Sequence, residues 1–258
     1  GINAFNGKIT ILKNLCEEIS ELITVILTFI VNHLAPIGVF ALLTRTFAAY
    51  GVEYLLPAVT YVVTTVVLLV IFLLAGYALI ILFVGRMNPL PFVKKITKVA
   101  LFGFSPSSSA ATLPLIQQTT VEELGADEEI SSFVLPLGMT ANMNGTAIMQ
   151  GVAVEFAAQA FHIHLSAADF LTVIATATLA SIGTAGVPSV GLITLSMVFN
   201  SVGLPVEAIG LIMGIDRILD MTRTAVNITG DAVCTTIVAK QDNAVNVEIF
   251  NRKDPLAG

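Results

Sequence analysis

The sequence predicts an all-α membrane protein in which transmembrane helices are combined with two re-entrant helical hairpins and two broken helices, in an inverted repeat. Its 258 residues are 55% hydrophobic and 12% charged, with a mean hydropathy of +0.89, whereas ordinary globular chains carry about 25% charged residues. Polar or proline-containing runs interrupt several of its apolar stretches. A bilayer core of about 30 Å needs about 20 helical residues. The uncharged stretches that reach this length are Leu22–Thr44, Tyr54–Gly85, Val99–Val121, Ile130–Val154 and Phe170–Val206.

The charge pattern excludes some partners and suggests an orientation. A net charge of −6 and a pI near 5.0 argue against a nucleic acid as partner. The densest basic cluster lies between Arg86 and Lys98, and the positive-inside rule places it on the cytoplasmic side.

The first two apolar stretches predict plain membrane crossings. Leu22–Thr44 belongs to a predicted scaffold region, residues 1–53. Tyr54–Gly85 would be about 48 Å long as a helix, so we expect it to be strongly tilted. It opens a second predicted domain, residues 54–258, which also contains the hairpins and the broken helices.

Two later stretches predict re-entrant hairpins rather than crossings. The polar run Ser105–Pro114 would break a spanning helix in mid-membrane, where every backbone group needs a partner. The stretch Phe170–Val206 is too long for one helix and has a similar run, Ser181–Pro188, near its centre. A constant offset places Ser107 over Ser181, so we expect the two runs to be equivalent hairpin tips.

Each predicted hairpin is followed by an apolar helix with an Asn-x-x-Gly pattern. The first has Asn142 and Gly145, and the second has Asn227 and Gly230 followed by Asp231. We expect both helices to be interrupted there. Repeated, interrupted segments of this kind are typical of the midplane binding site of a transporter.

The last predicted helix carries charges that are costly inside a bilayer, at roughly 2.5 to 3.5 kcal/mol each. Steps of three or four residues put five polar groups on one helix face. They are Asp216, Asp220, Arg223, Asn227 and Asp231, whereas Arg217 lies off that face. The face is either an ion-pair ladder that locks the bundle or a site for a polar guest. The hydroxyl groups of the hairpin tips favour the second alternative, a binding site for a polar ligand.

The chemistry of these side chains points to an amino acid that travels with a cation. Arg223 can bind a carboxylate through its bidentate fork, and Asp220 can bind an ammonium group. Asp231 is a hard oxygen ligand suited to a small cation. A C4-dicarboxylate carrier would not need Asp220, and a neutral amino acid carrier would not need Arg223.

Two other classes of protein remain as alternatives. A channel would share the broken helices but would not need an Arg and an Asp arranged for a zwitterion. An intramembrane hydrolase would use a serine from the run Ser107–Ser109, with His33 as the one candidate base at membrane depth.

These motifs together resemble the glutamate transporter family of dicarboxylate/amino acid:cation symporters. The matches are the serine-rich first tip Ser107–Pro114, the motif Asn142–Thr146, the second tip Ala180–Pro188 and the last-helix motif Asp216–Asp231. The resemblance covers nearly all of this chain but only the C-terminal part of a typical member. It implies that several N-terminal helices of the family fold lie outside this sequence.

The resemblance implies sodium-coupled symport of glutamate or aspartate, with protons as the alternative coupling ion. It further implies a homotrimer in the cell (plasma) membrane, crossing the bilayer several times. Residues 54–258 would be a transport domain that moves against the scaffold as an elevator, without an organic cofactor.

The resemblance also assigns roles to residues. It places the substrate side-chain carboxylate on Arg223 and the amino group on Asp220. The implied substrate-binding residues are Ser107, Ser108, Ser109, Thr146, Val187, Gly191, Asp220, Arg223, Thr224 and Asn227. The implied sodium ligands fall into one group with Gly138, Asn142, Asn227 and Asp231, and a second with Thr140, Ser181, Ile182 and Thr184.

This chain departs from the family at two places. Asn144 stands where the family has an aspartate that helps to bind a third sodium ion, so the sequence leaves the ion stoichiometry open. Pro106 precedes the tip serines where some members have an arginine. We hypothesise that Arg217 replaces that positive charge.

Overall fold

A computed structural model of the protein describes residues 55–182, 190–213 and 215–252, together with a few isolated earlier positions. The chain divides into two compact units, Gly1–Gly51 and Val52–Gly258. The predicted crossing Leu22–Thr44 lies outside the described residues apart from those isolated positions. Over the described ranges every named element is a helix, which confirms an all-α chain, and the β pairing there is limited to one isolated bridge between Ala126 and Val245.

The second unit begins with a long apolar helix that contains a π-helical turn. Helix α1 spans Leu55–Ile71, the π-helical turn spans Phe72–Gly76, and α2 spans Tyr77–Phe83. By length and composition, Pro57–Phe83 is able to cross a membrane, with 27 residues and a mean hydropathy of 3.1. It is the one such helix in the part of the chain that the structure describes.

Two helices joined by a short turn lie where the sequence predicts the first hairpin. Helix α3 spans Pro89–Phe104, and α4 spans Ser109–Gln118. The break is shorter than the predicted polar run and ends where Ser108 caps α4, because its side chain accepts a hydrogen bond from the backbone N–H of Ala111 at 3.3 Å. Pro114 therefore lies inside α4.

The first broken helix has the predicted interruption. Helix α5 spans Glu128–Ala141, and α6 spans Asn144–Ala160. Between them Asn142 and Met143 leave the helical conformation, with φ/ψ of −111°/77° and −108°/50°.

Helices α7, Ala167–Ser181, and α8, Val190–Ser201, lie on either side of the second predicted tip in the sequence and pack against each other. Ser166 caps α7 in a reciprocal capping box with Asp169. Helix α7 ends at Ser181, where the sequence predicts the tip to begin.

The prediction for the last helix is wrong about the place of its break. The short α9, Ile209–Met213, is separated from α10, Asp216–Gln241, which runs without interruption through Asn227 and Gly230. The side chain of Asn227 bonds to the backbone N–H of Gly145 and that of Asp231 to the Asn142 amide, while the backbone of α10 stays helical. The break lies before Asp216 instead.

Helix α10 lies at the centre of the second unit and packs on α1, α3, α5 and α6. Its residues are buried along most of its length. A final short helix, α11, spans Val247–Asn251 and packs against α3. The largest fully buried side chains of the core around α10 include Leu69, Tyr77, Ile81, Phe92 and Leu135.

Candidate binding site for a polar guest and a cation

The polar face predicted on α10 is buried as a whole. Its five polar residues have relative exposures of 2% to 4%, whereas the adjacent Arg217 is exposed. These residues are Asp216, Asp220, Arg223, Asn227 and Asp231. The predicted helical spacing is therefore confirmed, including the placement of Arg217 off the face.

Arg223 is held between two carboxylates of its own helix. Its Nη2 and Nε donate to Oδ1 of Asp220 at 2.6 and 3.0 Å, and its Nη1 donates to Oδ1 of Asp216 at 3.4 Å. The other carboxylate oxygen of Asp216 is buried without a hydrogen-bond partner among the described residues. The sequence predicts separate ligands for Arg223 and Asp220, and the structure binds the two side chains to each other.

The guanidinium of Arg223 lies close to Gly191 of α8, and Thr146 of α6 lies close to the same glycine. A Cβ atom at Gly191 would lie 2.6 Å from Nη1 of Arg223 and 3.2 Å from Cγ2 of Thr146. A side chain there would require the guanidinium of Arg223 to shift, because real Cβ atoms essentially never approach other atoms below 3.0 Å. The structure thus brings together Arg223, Thr146 and Gly191. Val187 lies outside the described residues.

Thr224 is buried beside this group. Its hydroxyl donates to the carbonyl oxygen of Asp220 at 2.8 Å, one turn earlier in α10. This bond orients the hydroxyl along the helix, and a substrate-binding role for Thr224 stays a prediction.

The serines of the first tip lie near the start of α10. The guanidinium of Arg217 donates to the carbonyl oxygen of Ser105 at 3.4 Å, which links the two segments. Ser107 has a φ of +53°, and its hydroxyl is buried without a hydrogen-bond partner in the described part of the chain. Ser109 is buried as well. The tip therefore presents a buried polar group that is available to a guest.

A second polar cluster forms where the break of the first broken helix meets α10. The amide Nδ2 of Asn142 donates to Oδ1 of Asp231 at 2.9 Å and lies 3.5 Å from the carbonyl oxygen of Asn227. A Cβ atom at Gly138 would lie 2.7 Å from Oδ1 of Asp231. The structure thus assembles the first predicted sodium group, Gly138, Asn142, Asn227 and Asp231.

The donor set of this cluster suits a hard cation. Within the described residues no basic side chain forms an ion pair with Asp231, and no three His, Cys, Asp or Glu side chains cluster as ligands for a metal ion. The carboxylate of Asp231 is a hard oxygen ligand, the type that small hard cations prefer.

Asn227 also holds the start of α6 in place. Its Oδ1 accepts from the backbone N–H of Gly145 at 2.8 Å, and its Nδ2 donates to Sδ of Met143 at 3.1 Å and to Oγ1 of Thr146 at 3.3 Å. These bonds occupy the side chain of Asn227, and its implied role in substrate binding stays a prediction.

Tyr77 is a site residue that the sequence did not reveal. Its hydroxyl donates to the carbonyl oxygen of Val226 at 3.0 Å and accepts from Nδ2 of Asn144 at 3.3 Å. Gly230 lacks a side chain at the point where the Tyr77 hydroxyl and the Asn142 amide meet α10. Tyr77 is one of three tyrosines in the stretch Tyr54–Gly85, so no signal in the sequence singled it out.

The second predicted sodium group is not joined by contacts among the described residues. Thr140 is exposed and donates to the carbonyl oxygen of Leu137 at 3.1 Å, and Ser181 donates to the carbonyl oxygen of Thr178 at 2.9 Å. Ile182 is exposed, and Thr184 lies outside the described residues.

Buried charged groups beside a hydroxyl-bearing hairpin tip, in a strongly apolar helical chain, define the class of membrane transporters. Comparison with known families makes this specific: the model of the sodium:dicarboxylate symporter family matches residues 1–241. The chain belongs to this family.

Several curated relatives are excitatory amino acid transporters. The chain is 35% identical over 239 residues to excitatory amino acid transporter 4 of Rattus norvegicus, which covers 92% of this chain and 42% of that protein. It is 44% identical over 180 residues to transporter 3 of Oryctolagus cuniculus, covering 70% and 34%. It is 43% identical over 178 residues to the putative sodium-dependent excitatory amino acid transporter glt-6 of Caenorhabditis elegans, covering 69% and 33%. The chain thus spans less than half the length of these relatives.

Proposed function

We propose that the chain forms the substrate- and ion-binding part of a secondary symporter that moves glutamate or aspartate together with sodium. The buried face of α10 carries this proposal, because it combines a guanidinium between two carboxylates with a third carboxylate, Asp231, that no described basic side chain pairs. Charged groups inside a membrane protein are costly and mark binding sites by default. The names of the relatives favour the same substrates.

The ion pair between Arg223 and Asp220 suggests how an amino acid binds. A guest with a carboxylate and an ammonium group can insert between them: its carboxylate takes the fork of Arg223, and its ammonium group takes Asp220. Every charge then keeps an opposite partner. Asp216 retains contact with Nη1 of Arg223, which lies 3.4 Å away.

The same exchange disfavours a C4-dicarboxylate that lacks an amino group. Such a guest would bind Arg223 but would leave Asp220, which is 2% exposed, without its guanidinium. Breaking one side of a buried ion pair costs about 3 to 5 kcal/mol, which is more than a hundredfold in affinity. The site therefore favours an amino acid.

Asp231 is the proposed primary sodium ligand, with the carbonyl oxygens of Gly138, Asn142 and Asn227 around it. Among the described residues the buried carboxylate of Asp231 accepts a hydrogen bond from the Asn142 amide, and a bound cation or a proton would stabilise it further. The hard carboxylate oxygens of Asp231, together with the proposed carbonyl ligands, favour sodium. Thr140, Ser181, Ile182 and Thr184 are proposed to form a second sodium site when the second hairpin closes.

The membrane arrangement is part of the proposal. Helices α3 and α4 are proposed to re-enter from the cytoplasm, and α7 and α8 from outside, so that the two halves form an inverted repeat. The unit would work in a plasma-membrane homotrimer and move as an elevator. The long apolar helix Pro57–Phe83 and the family membership support a membrane location.

Binding measurements on the purified protein in lipid nanodiscs test the proposal. Aspartate and glutamate binding are measured with and without sodium at two pH values. We expect sodium-dependent binding that Arg223→Ala abolishes and Arg223→Lys weakens strongly, because lysine keeps the charge but not the bidentate fork.

Succinate is the control ligand, because it resembles aspartate without the amino group. Asp242→Asn is the control variant for Asp220→Asn. Asp220→Asn should remove the preference for aspartate over succinate, whereas Asp242→Asn, at the exposed end of the same helix, should not. Binding that depends on pH and not on sodium would instead identify protons as the coupling ion. The absence of any sodium-dependent amino acid binding would contradict the proposal.

A further inference from the structure

The second unit contains a cavity that is lined by basic residues, whereas the polar face of α10 is rich in carboxylates. The cavity has a volume of about 270 Å³ and lies between the first half of α3 and the end of α11. Lys94, Lys95 and Arg252 line it, together with Asn88 and Asn251. No carboxylate is among the described residues that line this cavity.

Lys95 gives the wall of this cavity a fixed positive charge. Its buried ammonium group donates to three carbonyl oxygens, those of Glu123 at 2.8 Å, Ile249 at 2.7 Å and Phe250 at 2.8 Å. All three N–H groups are thus satisfied by neutral acceptors. The carboxylate of Glu123 is bound to Lys98 instead.

Lys94 and Arg252 complete the charge with exposed head groups. Neither forms an ion pair with an acidic side chain in the described part of the chain. The guanidinium of Arg252 offers a fork that matches two phosphate oxygens, and Lys94 adds a point charge. The chemistry of the cavity is therefore that of a phosphate-binding site.

The surroundings indicate a phosphate that is attached to a lipid. Leu90, which also lines the cavity, is 67% exposed and offers apolar contact beside the basic groups. The cluster Arg86–Lys98 is placed on the cytoplasmic side by the positive-inside rule. Basic pockets between membrane helices on that side bind anionic lipid head groups.

We propose that this cavity binds the phosphate head group of an anionic phospholipid of the cytoplasmic leaflet. The orientation rests on the membrane arrangement given under the proposed function. A bound lipid would bridge α3 and α11 at the point where Lys95 already joins them.

Lipid binding to the purified protein tests this inference. Native mass spectrometry is carried out with phosphatidylglycerol, with zwitterionic phosphatidylcholine and with inorganic phosphate as a competitor. We expect phosphatidylglycerol to bind, and Lys94→Gln/Arg252→Gln to bind it roughly 30-fold more weakly, because this variant loses the two basic groups of the cavity that would contact the lipid phosphate.

The control variant Lys98→Gln/Lys240→Gln removes the same number of charges outside the cavity. Its binding of phosphatidylglycerol should stay within about twofold of the wild type. An equal loss in the control, equal binding of phosphatidylcholine, or inorganic phosphate binding as tightly as the lipid would each overturn the proposal. Sodium-dependent aspartate binding, measured on the same samples, reports separately on the proposed transport function, and the cavity variant should leave it unchanged.

Discussion

A methyl group added at Gly138 is expected to weaken sodium binding without unfolding the protein. The new Cβ atom of Gly138→Ala would lie 2.7 Å from Oδ1 and 3.0 Å from Cγ of Asp231, so either the carboxylate or α5 must move by several tenths of an ångström. In the sodium-free protein the carboxylate can turn away, whereas sodium holds it in place. The overlap therefore acts mainly on the bound state.

The size of the effect follows from the cost of overpacking. One added methyl in a packed site costs about 1 to 3 kcal/mol, which is about 5- to 150-fold in sodium affinity. Alanine is favoured over glycine inside a helix by about 1 kcal/mol, which offsets part of the strain in the sodium-free protein. We expect a normal melting temperature without sodium and a large loss of sodium affinity.

Calorimetric titration of sodium at fixed aspartate measures this change. Gly151→Ala is the matched control, because nothing lies within 4 Å of the Cβ position of Gly151 on α6. If the half-saturating sodium concentration of Gly138→Ala stays within twofold of the wild type, or if Gly151→Ala shifts it equally, the placement of sodium at Asp231 is refuted.

Three further substitutions test neighbouring contacts. Asn144→Asp places a carboxylate next to the Tyr77 hydroxyl, and we expect lower thermal stability without sodium and a steeper gain in stability as sodium is added. Tyr77→Phe removes the hydrogen bond to the carbonyl oxygen of Val226, and we expect a loss of about 0.5 to 1.5 kcal/mol in unfolding free energy by chemical denaturation. Arg217→Ala removes the contact with the carbonyl oxygen of Ser105. We expect aspartate to bind to this variant roughly two- to fivefold more weakly in a direct binding assay. Unchanged affinity would show that Arg217 does not replace the arginine of other family members.

The parts of the site that come from one helix were predictable from the sequence. Helical spacing alone places Asp216, Asp220, Arg223 and Asn227 on one face, and burial of these charges requires partners. Helical spacing cannot predict which of these charged side chains pair with each other. The sequence predicts separate ligands for Arg223 and Asp220, and their mutual ion pair depends on rotamers that only the packed site fixes.

The broken helices show a second limit. The two similar Asn-x-x-Gly patterns have different backbone conformations. Asn142 lies in a non-helical segment and donates to Asp231, whereas Asn227 lies in an intact helix and accepts from the backbone N–H of Gly145. The local sequence does not indicate which of the two Asn-x-x-Gly segments leaves the helical conformation. An acidic residue in the first turn of a helix, here Asp216, was the signal for the true start of α10.

The π-helical turn at Phe72–Gly76 affects how this sequence relates to others. Buried residues of the long helix are separated by multiples of four positions, from Tyr61 through Leu69 to Tyr77 and Ile81. In a regular α-helix, residues four positions apart are rotated by about 40° relative to each other around the helix axis, so a face with this spacing gradually turns away from its partner. A π-helical turn contains one additional residue and rotates the face back. It thereby keeps Tyr77 directed at α10. Removing one residue from this turn would restore a regular helix and preserve both flanking faces, so a relative with a regular helix should align with this chain through a single-residue gap at that turn.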